Sequence, residues 1–410
     1  MKKNLNIIVF ILTYYLLLPF IQKIDKTHNL GLSYLDELLY LYIIWKYISL
    51  RKIKHDTSIY LILFMLYLFV SIYINTLPIS HIIQIFLYLK FWIFFLYFYN
   101  LQFDDKLIIL NKFNKVINVV FNLVVIFIVF EIMFPKIFPF LFGFDKENRG
   151  LFNFYLTSFF GHRTSFAQFI IFYFVFKFYY ASIINKTNIK LNFNYMLSFL
   201  LIFLSYSRKE FVALLYFLFF FPYSNFSNKI KFLYALPIVV ILSYGYLYNT
   251  MDDLMKDTFS EDYNRVTMIK VAEEILLDNL PLGTGPGTFG SQMSEKFMKI
   301  YDEYNVGKYM LGYVEGRSFI YDIFLISFFV EVGIGIVFLI IMLLKIYYLN
   351  KGNINIASYI VNFLLVSTIL IGLISPVLMN SYGILVFSFI GTIVNLDENK
   401  LIIGTNKNKK

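Results

Sequence analysis

The 410-residue sequence contains no cysteine and only four histidines. The lack of cysteine excludes disulfide bonds, thiolate metal ligands and cysteine nucleophiles, and the histidines do not form the HExxH spacing of a zinc site. Charged residues are also scarce, at 15% of the chain, compared with about 25% in soluble domains. So few polar side chains could not cover the apolar surface of a soluble protein of this size. We therefore exclude a cytosolic enzyme, a secreted domain and a disordered scaffold.

Hydrophobic residues make up 59% of the sequence, and 50 phenylalanines and 34 tyrosines supply much of that share. A run of about 20 apolar residues crosses the hydrocarbon core of a membrane as one helix. Twelve runs of suitable length and hydropathy lie near residues 5–21, 30–50, 58–76, 79–99, 116–134, 165–184, 191–206, 210–224, 230–249, 321–344, 355–374 and 377–395. The sequence therefore predicts an all-α integral membrane protein with about twelve transmembrane helices.

The distribution of charge predicts an orientation. A net charge of +10 would suggest nucleic acid as a partner of a soluble protein, but here we expect no nucleic acid, because in a membrane protein the charge reports which loops are cytoplasmic. With both termini in the cytoplasm, the inner segments hold 20 basic residues and the short outer segments hold eight. The positive-inside rule favours that orientation, and it places residues 250–320 outside.

Residues 250–320 differ from the rest of the chain. They contain twelve acidic and seven basic residues, so this segment has a net charge of −5 while the remainder has +15. We expect a structured extracytoplasmic loop, because unstructured loops of this length are unusual. The predicted organisation is as follows: N-terminal transmembrane helices in 1–134, central helices with outer arginines in 135–249, the loop in 250–320, C-terminal helices in 321–395 and a basic cytoplasmic tail in 396–410.

Within this loop, residues 264–279 have an apolar stripe at helical spacing, formed by Val266, Ile269, Ala272 and Leu276. This pattern predicts an amphipathic helix that lies on the membrane surface or caps the helical bundle. The following segment, PLGTGPGTFG at 281–290, formally matches GxGxxG from Gly285 to Gly290. No strand–turn–helix context precedes it, so we interpret it as a tight turn whose glycines allow close approach of the backbone to a neighbouring segment.

Arginine is rare, with six residues against thirty lysines, and five of the six fall on the predicted outer side. A guanidinium group binds phosphate oxygens through two parallel hydrogen bonds and stays charged when partly desolvated. These five residues indicate an anionic ligand such as a lipid-linked diphosphate: Arg149, Arg163, Arg208, Arg265 and Arg317. The alternative is a set of interfacial side chains that extend towards the lipid headgroups.

Three carboxylates lie near the start of the predicted span after the loop. Asp322 is at its mouth, where it serves either as a general base or as an acid that stabilises the start of a helix. Glu315 and Arg317 flank the same mouth, and Glu331 lies nine residues beyond Asp322. That spacing is two and a half helical turns, so we expect Glu331 to face a different direction.

Two further acids are predicted inside or at the ends of spans, where an unpaired charge is costly. Glu210 follows Arg208 closely enough for an ion pair, and we expect that pair as the alternative to anion binding by Arg208. Glu131 lies within its own predicted span, and we expect it to be a structural partner of Lys90.

The order of these motifs resembles the O-antigen polymerase/O-antigen ligase superfamily. Arg208 stands in a Ser-Arg pair after the middle spans, and Arg265 leads an amphipathic helix that continues into the glycine motif ending at Gly290. Asp322 then precedes an E-x-G-like span that contains Glu331, Gly333 and Gly335, while 149–168 resembles the family's segment before the sixth span. The resemblance covers roughly residues 145–340.

This resemblance implies a glycosyltransferase of the bacterial cytoplasmic (inner) membrane that polymerises undecaprenyl-diphosphate-linked oligosaccharide repeat units into O-antigen or capsule. Arg208 and Arg265 would hold the diphosphate and Asp322 would accept the acceptor proton. Expected substrate-binding residues are Arg149, Arg163, Arg317, Glu315, Gly285 and Gly287. The scheme needs no metal or other cofactor, and the expected partners are the lipid-linked donor and acceptor, membrane lipids and a chain-length regulator.

Two other functions stay open at this point. The ligase branch usually has histidine at the position of Asp322, so the aspartate favours a polymerase, but a ligase shares the donor site and differs only in its acceptor. A lipid-linked oligosaccharide flippase or transporter would instead need substrate-binding charges within the bundle rather than arginines at its outer rim.

Overall fold

The computed structural model describes residues 2–28, 31–32, 34–50, 55–138, 156–184, 193–205, 207–220, 264–291, 293–294, 298–304, 324–350, 356–372, 375–394 and 396. Within these ranges the chain is helical and contains no strand. The helices are α1 (Lys2–His28), α2 (Tyr34–Ile48), α3 (His55–Ile74), α4 (Ile82–Tyr99), α5 (Phe103–Met133), α6 (Arg163–Tyr179), α7 (Phe193–Leu204), α8 (Arg208–Phe220), α9 (Asn264–Asn279), α10 (Lys299–Glu303), α11 (Phe324–Val332), α12 (Ile336–Asn350), α13 (Ile356–Gly372) and α14 (Ser381–Ile393).

Four helical segments in the described part of the chain are long and apolar enough to cross a membrane: Leu5–Asp25, Ile79–Tyr99, Phe103–Met133 and Phe324–Asn350. Shorter apolar helices accompany them at Ser58–Ile74, Phe193–Leu204, Ile356–Gly372 and Ser381–Ile393. The prediction of an all-α protein with membrane-spanning helices is therefore supported, while the count of twelve goes further than these segments. The predicted span 230–249 lies outside the described residues.

Helix α4 is the centre of the bundle. Its side chains from Lys90 to Tyr99 are all buried, as expected for a helix that is apolar on every side. Its most extensive contact is with α14, where a Cβ on Gly391 would lie only 2.5 Å from the carbonyl oxygen of Phe95. Glycine at this position therefore allows the two backbones to approach, as small residues do between membrane helices.

The outer helices expose apolar side chains rather than polar ones. Ile62 and Leu66 on α3 and Val119 and Ile126 on α5 are examples of large exposed hydrophobic residues. A soluble protein rarely exposes continuous apolar faces of this kind, whereas lipid covers them without cost.

One end of the bundle carries the segment 281–294, which we call the glycine-rich loop. We call this end of the bundle the loop end. His81, just before α4, donates from Nδ1 to the carbonyl of Pro286 (2.7 Å). Asn75, just after α3, donates from Nδ2 to the carbonyl of Gly283 (3.1 Å). The C-terminal end of α3 and the N-terminal end of α4 therefore lie against the same glycine-rich segment.

Candidate functional site

The segment Phe324–Asn350 is interrupted near its middle. Helix α11 ends at Val332, and a single 3-10 turn, Gly333–Gly335, connects it to α12. A break leaves backbone groups without helical partners, which membrane proteins tolerate only where other protein groups satisfy them. The glycine-rich loop supplies these partners: Thr284 N donates to Val330 O (3.0 Å), Gly285 N donates to Glu331 O (2.9 Å) and Pro281 O accepts from Ile334 N (2.9 Å).

Glycine is required on both sides of this contact. Gly283 has a φ of +72° and Gly333 a φ of +52°, both in the left-handed region. A Cβ on Gly283 would lie 2.5 Å from the carbonyl oxygen of Val330 and 2.6 Å from that of Glu331. The loop glycines therefore permit a close backbone approach, in agreement with the interpretation made from the sequence.

Glu331 anchors the same loop through its side chain, which is fully buried. The carboxylate accepts hydrogen bonds from Gly287 N (2.7 Å), from Phe289 N (2.8 Å) and from the hydroxyl of Tyr88 on α4. Hydrogen bonds to a carboxylate are about twice as strong as neutral ones. Glu331 therefore connects the loop, the broken helix and the central helix, a role that the sequence reasoning missed.

Gly285 and Gly287, to which the family resemblance assigns substrate binding, pack against protein. A Cβ on Gly285 would meet the side chain of Leu77, and one on Gly287 would meet the imidazole of His81. Neither glycine lines the cavity described below. Their position serves the structure of the loop end rather than direct contact with a ligand in that cavity.

Helix α9 packs against the glycine-rich loop. The predicted bounds 264–279 agree with Asn264–Asn279, and two residues of the predicted apolar stripe, Ala272 and Leu276, pack in the cluster that α9 forms with the loop. Met268, Ala272 and Ile275 are buried, whereas Ile269 is 45% exposed. Helix α9 packs against Phe289, Tyr301 and Val330, as expected for the alternative in which it caps the helical bundle.

Tyr301, on α10, fastens the end of the loop. Its hydroxyl accepts a hydrogen bond from Gly290 N (2.5 Å), and its ring stacks on Phe289 with centroids 5.3 Å apart. Burial raises the pKa of the Tyr301 hydroxyl well above its ordinary value, so the group stays neutral near pH 7.

A cavity of about 980 Å³ lies beside this anchored loop. Its walls come from α1, α2, α4, α6, α14 and the segment before α14, and Met293 contributes from the loop. Polar and charged side chains line it together with aromatic and aliphatic ones: Gln22, Asp36, Glu37, Lys90, Ser165, Gln168, Asn380, Ser381 and Tyr382. A concave apolar site with a few converging polar groups is the usual form of a small-molecule site.

Lys90 forms an ion pair in the wall of this cavity. Its Nζ lies 2.6 Å from Oδ1 of Asp36, with the two side chains 3% and 20% exposed. The rings of Tyr15 and Tyr40 flank the ammonium group at 5.3 and 5.5 Å. The expected pairing of Lys90 with Glu131 is therefore wrong.

Glu131 has a different environment. Its carboxylate accepts hydrogen bonds from the backbone amides of Thr157 (3.2 Å) and Ser158 (2.8 Å). Glu131 thus holds the 157–160 segment against the end of α5. The sequence predicts the pair because both residues lie within apolar runs, but helix packing places Lys90 opposite α2 instead.

Glu210 connects α8 to the cavity. Its buried carboxylate accepts hydrogen bonds from the hydroxyl of Ser207 and from Nε2 of Gln168 (3.3 Å), and Gln168 lines the cavity. Lys209 donates to the hydroxyl of Ser375, next to the cavity-lining segment before α14. The first turn of α8 therefore lies at the edge of the cavity.

The arginines expected to bind an anion are placed unequally by the structure. Arg163 is half-buried in the first turn of α6, two residues before the cavity-lining Ser165. Arg208 begins α8, and Arg265 lies in the first turn of α9, although their side chains are outside the described part of the chain. The remaining predicted site residues also lie outside it: Arg149, Glu315, Arg317 and Asp322.

Among the residues that the structure describes, no group of three or more histidine, aspartate or glutamate side chains could hold a metal ion. No protein-family model and no curated protein match this chain. The case for a function is therefore made from the residues and the geometry of the chain itself.

Proposed function

We propose that this protein is a membrane glycosyltransferase that polymerises undecaprenyl-diphosphate-linked oligosaccharide repeat units into a surface polysaccharide. The observation that carries the proposal is the cavity of about 980 Å³ at the loop end, with arginine-bearing helix starts at its edge. A cavity of this size accommodates several sugar rings, since drug-sized ligand sites occupy about 300–1,000 Å³.

The positions of two arginines support an anion site at the cavity mouth. Arg208 begins α8, and two residues later Glu210 is hydrogen-bonded to the cavity-lining Gln168. Arg163 begins α6 in the same region. Free backbone amides at helix starts also favour negative charge, so a diphosphate there would be held by both guanidinium and amide groups.

The packing of the glycine-rich loop also supports a role for Arg265. Glu331 fixes Gly287 and Phe289, and α9 packs on Phe289 through its buried face. Arg265 is on the first turn of α9, so its backbone is held relative to the bundle. Preorganised charge of this kind stabilises a transition state more than mobile charge does.

The proposed reaction is transfer of a growing chain to a new repeat unit. A hydroxyl oxygen of the acceptor forms a bond to the anomeric carbon of the lipid-linked donor, and the bond from that carbon to the diphosphate oxygen breaks. Undecaprenyl diphosphate leaves with the electron pair, while Arg208 and Arg265 neutralise the charge that develops on its oxygen. Asp322, two residues before α11, receives the proton of the acceptor hydroxyl.

The proposal includes a location. Both termini are cytoplasmic, about twelve helices span the inner membrane, and the glycine-rich loop with α9 faces outward, where lipid-linked repeat units are available after translocation. The partners are the lipid-linked donor and acceptor, the surrounding lipids and a chain-length regulator. Reporter fusions after Asn305 and Lys410 should report opposite sides of the membrane.

Glycan analysis of a strain lacking this chain tests the function. A polymerase predicts single repeat units on the final acceptor, restored to long chains by the wild-type gene. Complete loss of glycan from the final acceptor with polymer still on the lipid carrier would indicate a ligase. Absence of any repeat unit at the surface would indicate a flippase, and unchanged polymer would refute all three.

A further inference from the structure

The cavity wall carries a net negative charge. Three of its lining residues are charged, namely Asp36, Glu37 and Lys90, so the wall has a net charge of −1. Lys90 is nearly fully buried and its ammonium group is paired with Asp36 at 2.6 Å. The negative charge of Glu37 therefore remains for a ligand to meet.

Neutral hydrogen-bonding groups complete the wall. Asn380 uses Oδ1 to accept from Gly383 N (3.0 Å) at the start of α14, which leaves its amide N–H groups for another partner. Tyr382 also lines the cavity, while its hydroxyl is buried near Ser367. Asn380 therefore offers donors to a ligand hydroxyl in the cavity.

Aromatic side chains line the same cavity as these polar groups. Tyr40 and Phe169 contribute to the same wall as Asp36 and Asn380. A sugar ring presents hydroxyl groups at its edge and apolar C–H groups on its faces. Carboxylate and amide groups bind paired hydroxyls at the edge, while aromatic rings cover the apolar faces.

We infer that this cavity is a sugar subsite for uncharged or amino-sugar units, and that its net negative wall excludes uronic acids and other anionic sugars. This inference rests on the proposed function and names the substrate class of the site. A diphosphate or a carboxylate inside the cavity would face Glu37 and the carboxylate of Asp36. The anionic part of the donor is therefore placed outside the cavity, beside the first turn of α8, where Lys209 also lies.

Equilibrium binding to the full chain in lipid nanodiscs tests this subsite. The probes are three soluble tetrasaccharides of similar size: tetra-N-acetylglucosamine (neutral), tetraglucosamine (cationic) and tetragalacturonate (anionic). We expect the neutral and cationic probes to bind at least about tenfold more tightly than the anionic one, because like charges in a partly enclosed site repel each other. Equal binding of all three, or binding of none, would overturn the inference.

One variant and its matched control assign the effect to the charge of Glu37. Glu37→Lys should raise affinity for tetragalacturonate and lower it for tetraglucosamine, each by about tenfold. Glu303→Lys makes the same charge change at an exposed residue of α10, outside the cavity, and should alter the affinity for neither probe. If Glu37→Lys behaves like Glu303→Lys, the cavity does not select by charge.

This experiment separates the subsite from the proposed function. Binding of soluble tetrasaccharides needs no polymerisation, so charge selection in a chain whose deletion leaves normal polymer would refute the function and keep the sugar subsite. Conversely, loss of polymer in the deletion strain together with no charge selection would keep the function and refute the subsite.

Discussion

Removal of one buried acceptor at Glu331 should loosen the glycine-rich loop. In Glu331→Gln, the amide oxygen can take the position that accepts from Gly287 N and from the hydroxyl of Tyr88. The amide NH₂ group then faces Phe289 N–H, which loses its acceptor. A buried donor without a partner costs about 1–3 kcal/mol, which corresponds to a roughly 5- to 150-fold increase in the opening equilibrium of the loop.

Hydrogen–deuterium exchange of the full chain in nanodiscs measures this opening directly. Amides in 284–290 should exchange faster in Glu331→Gln by that factor, while amides of α4 should not change. Glu131→Gln is the matched control, because it alters another fully buried carboxylate that accepts from backbone amides. It should accelerate exchange at 157–158 and leave the glycine-rich loop unaffected.

The opposite result would refute the role assigned to Glu331. If the folded Glu331→Gln variant shows wild-type exchange in 284–290, the backbone contacts of Thr284 and Gly285 hold the loop without the carboxylate. If both variants accelerate exchange throughout the chain, the effect is general destabilisation rather than loss of a local anchor.

Substitutions at four further positions test the backbone contact and the proposed chemistry. Gly283→Ala should lower the melting temperature of the purified chain, because its Cβ would overlap two carbonyl oxygens of α11 and its φ is strained for alanine; an unchanged melting temperature would contradict this packing. Arg208→Lys and Arg265→Lys should each shorten the polymer strongly at normal membrane insertion, whereas Arg51→Lys, on the predicted cytoplasmic side, should not; near-normal polymer from both would refute diphosphate binding. Asp322→Asn should nearly abolish polymer and Asp322→Glu should keep part of it; if the asparagine variant retains most polymer, Asp322 is not the base.

The helices were the part of the fold that the sequence could predict. Long apolar runs determine where α1, α4, α5 and the α11–α12 segment lie, since only a helix satisfies the backbone of such a run in lipid. Helix α9 was predicted with its observed bounds because its apolar periodicity and the following Pro281 are local signals. Local signals of this kind do not depend on the partner helix.

The contacts of individual charged residues could not be predicted in the same way. Hydropathy places Lys90 and Glu131 within predicted spans, but it contains no information on which faces of α2, α4 and α5 meet. Asp36 lies in the first turn of α2, where an acid is common for reasons of the helix dipole, so it gave no sign of pairing with Lys90. The exposure of Ile269 could not be predicted for a similar reason, because the periodicity of α9 does not show that Phe289 and Tyr301 pack against it.

Two features of the sequence, taken together, indicate the role of Glu331. A carboxylate two residues before Gly333 in an apolar span is expensive to bury, and glycine there indicates that the helix can break. Each feature has a local explanation on its own, but together they require donors from elsewhere in the chain, and 281–290 is rich in glycines whose N–H groups are sterically accessible. The two motifs are therefore parts of one contact rather than separate sites.

This contact also explains how a polar loop is held at the end of an apolar bundle. The broken helix presents carbonyl groups and one carboxylate that need donors, and the loop supplies backbone N–H groups from Thr284, Gly285, Gly287 and Phe289, while Tyr88 adds its hydroxyl. Because four of these donors are backbone groups, the loop must keep its own fold to satisfy the broken helix. Met293 then reaches the cavity from the same loop, so a change at Glu331 should affect ligand binding without any direct contact between Glu331 and the ligand.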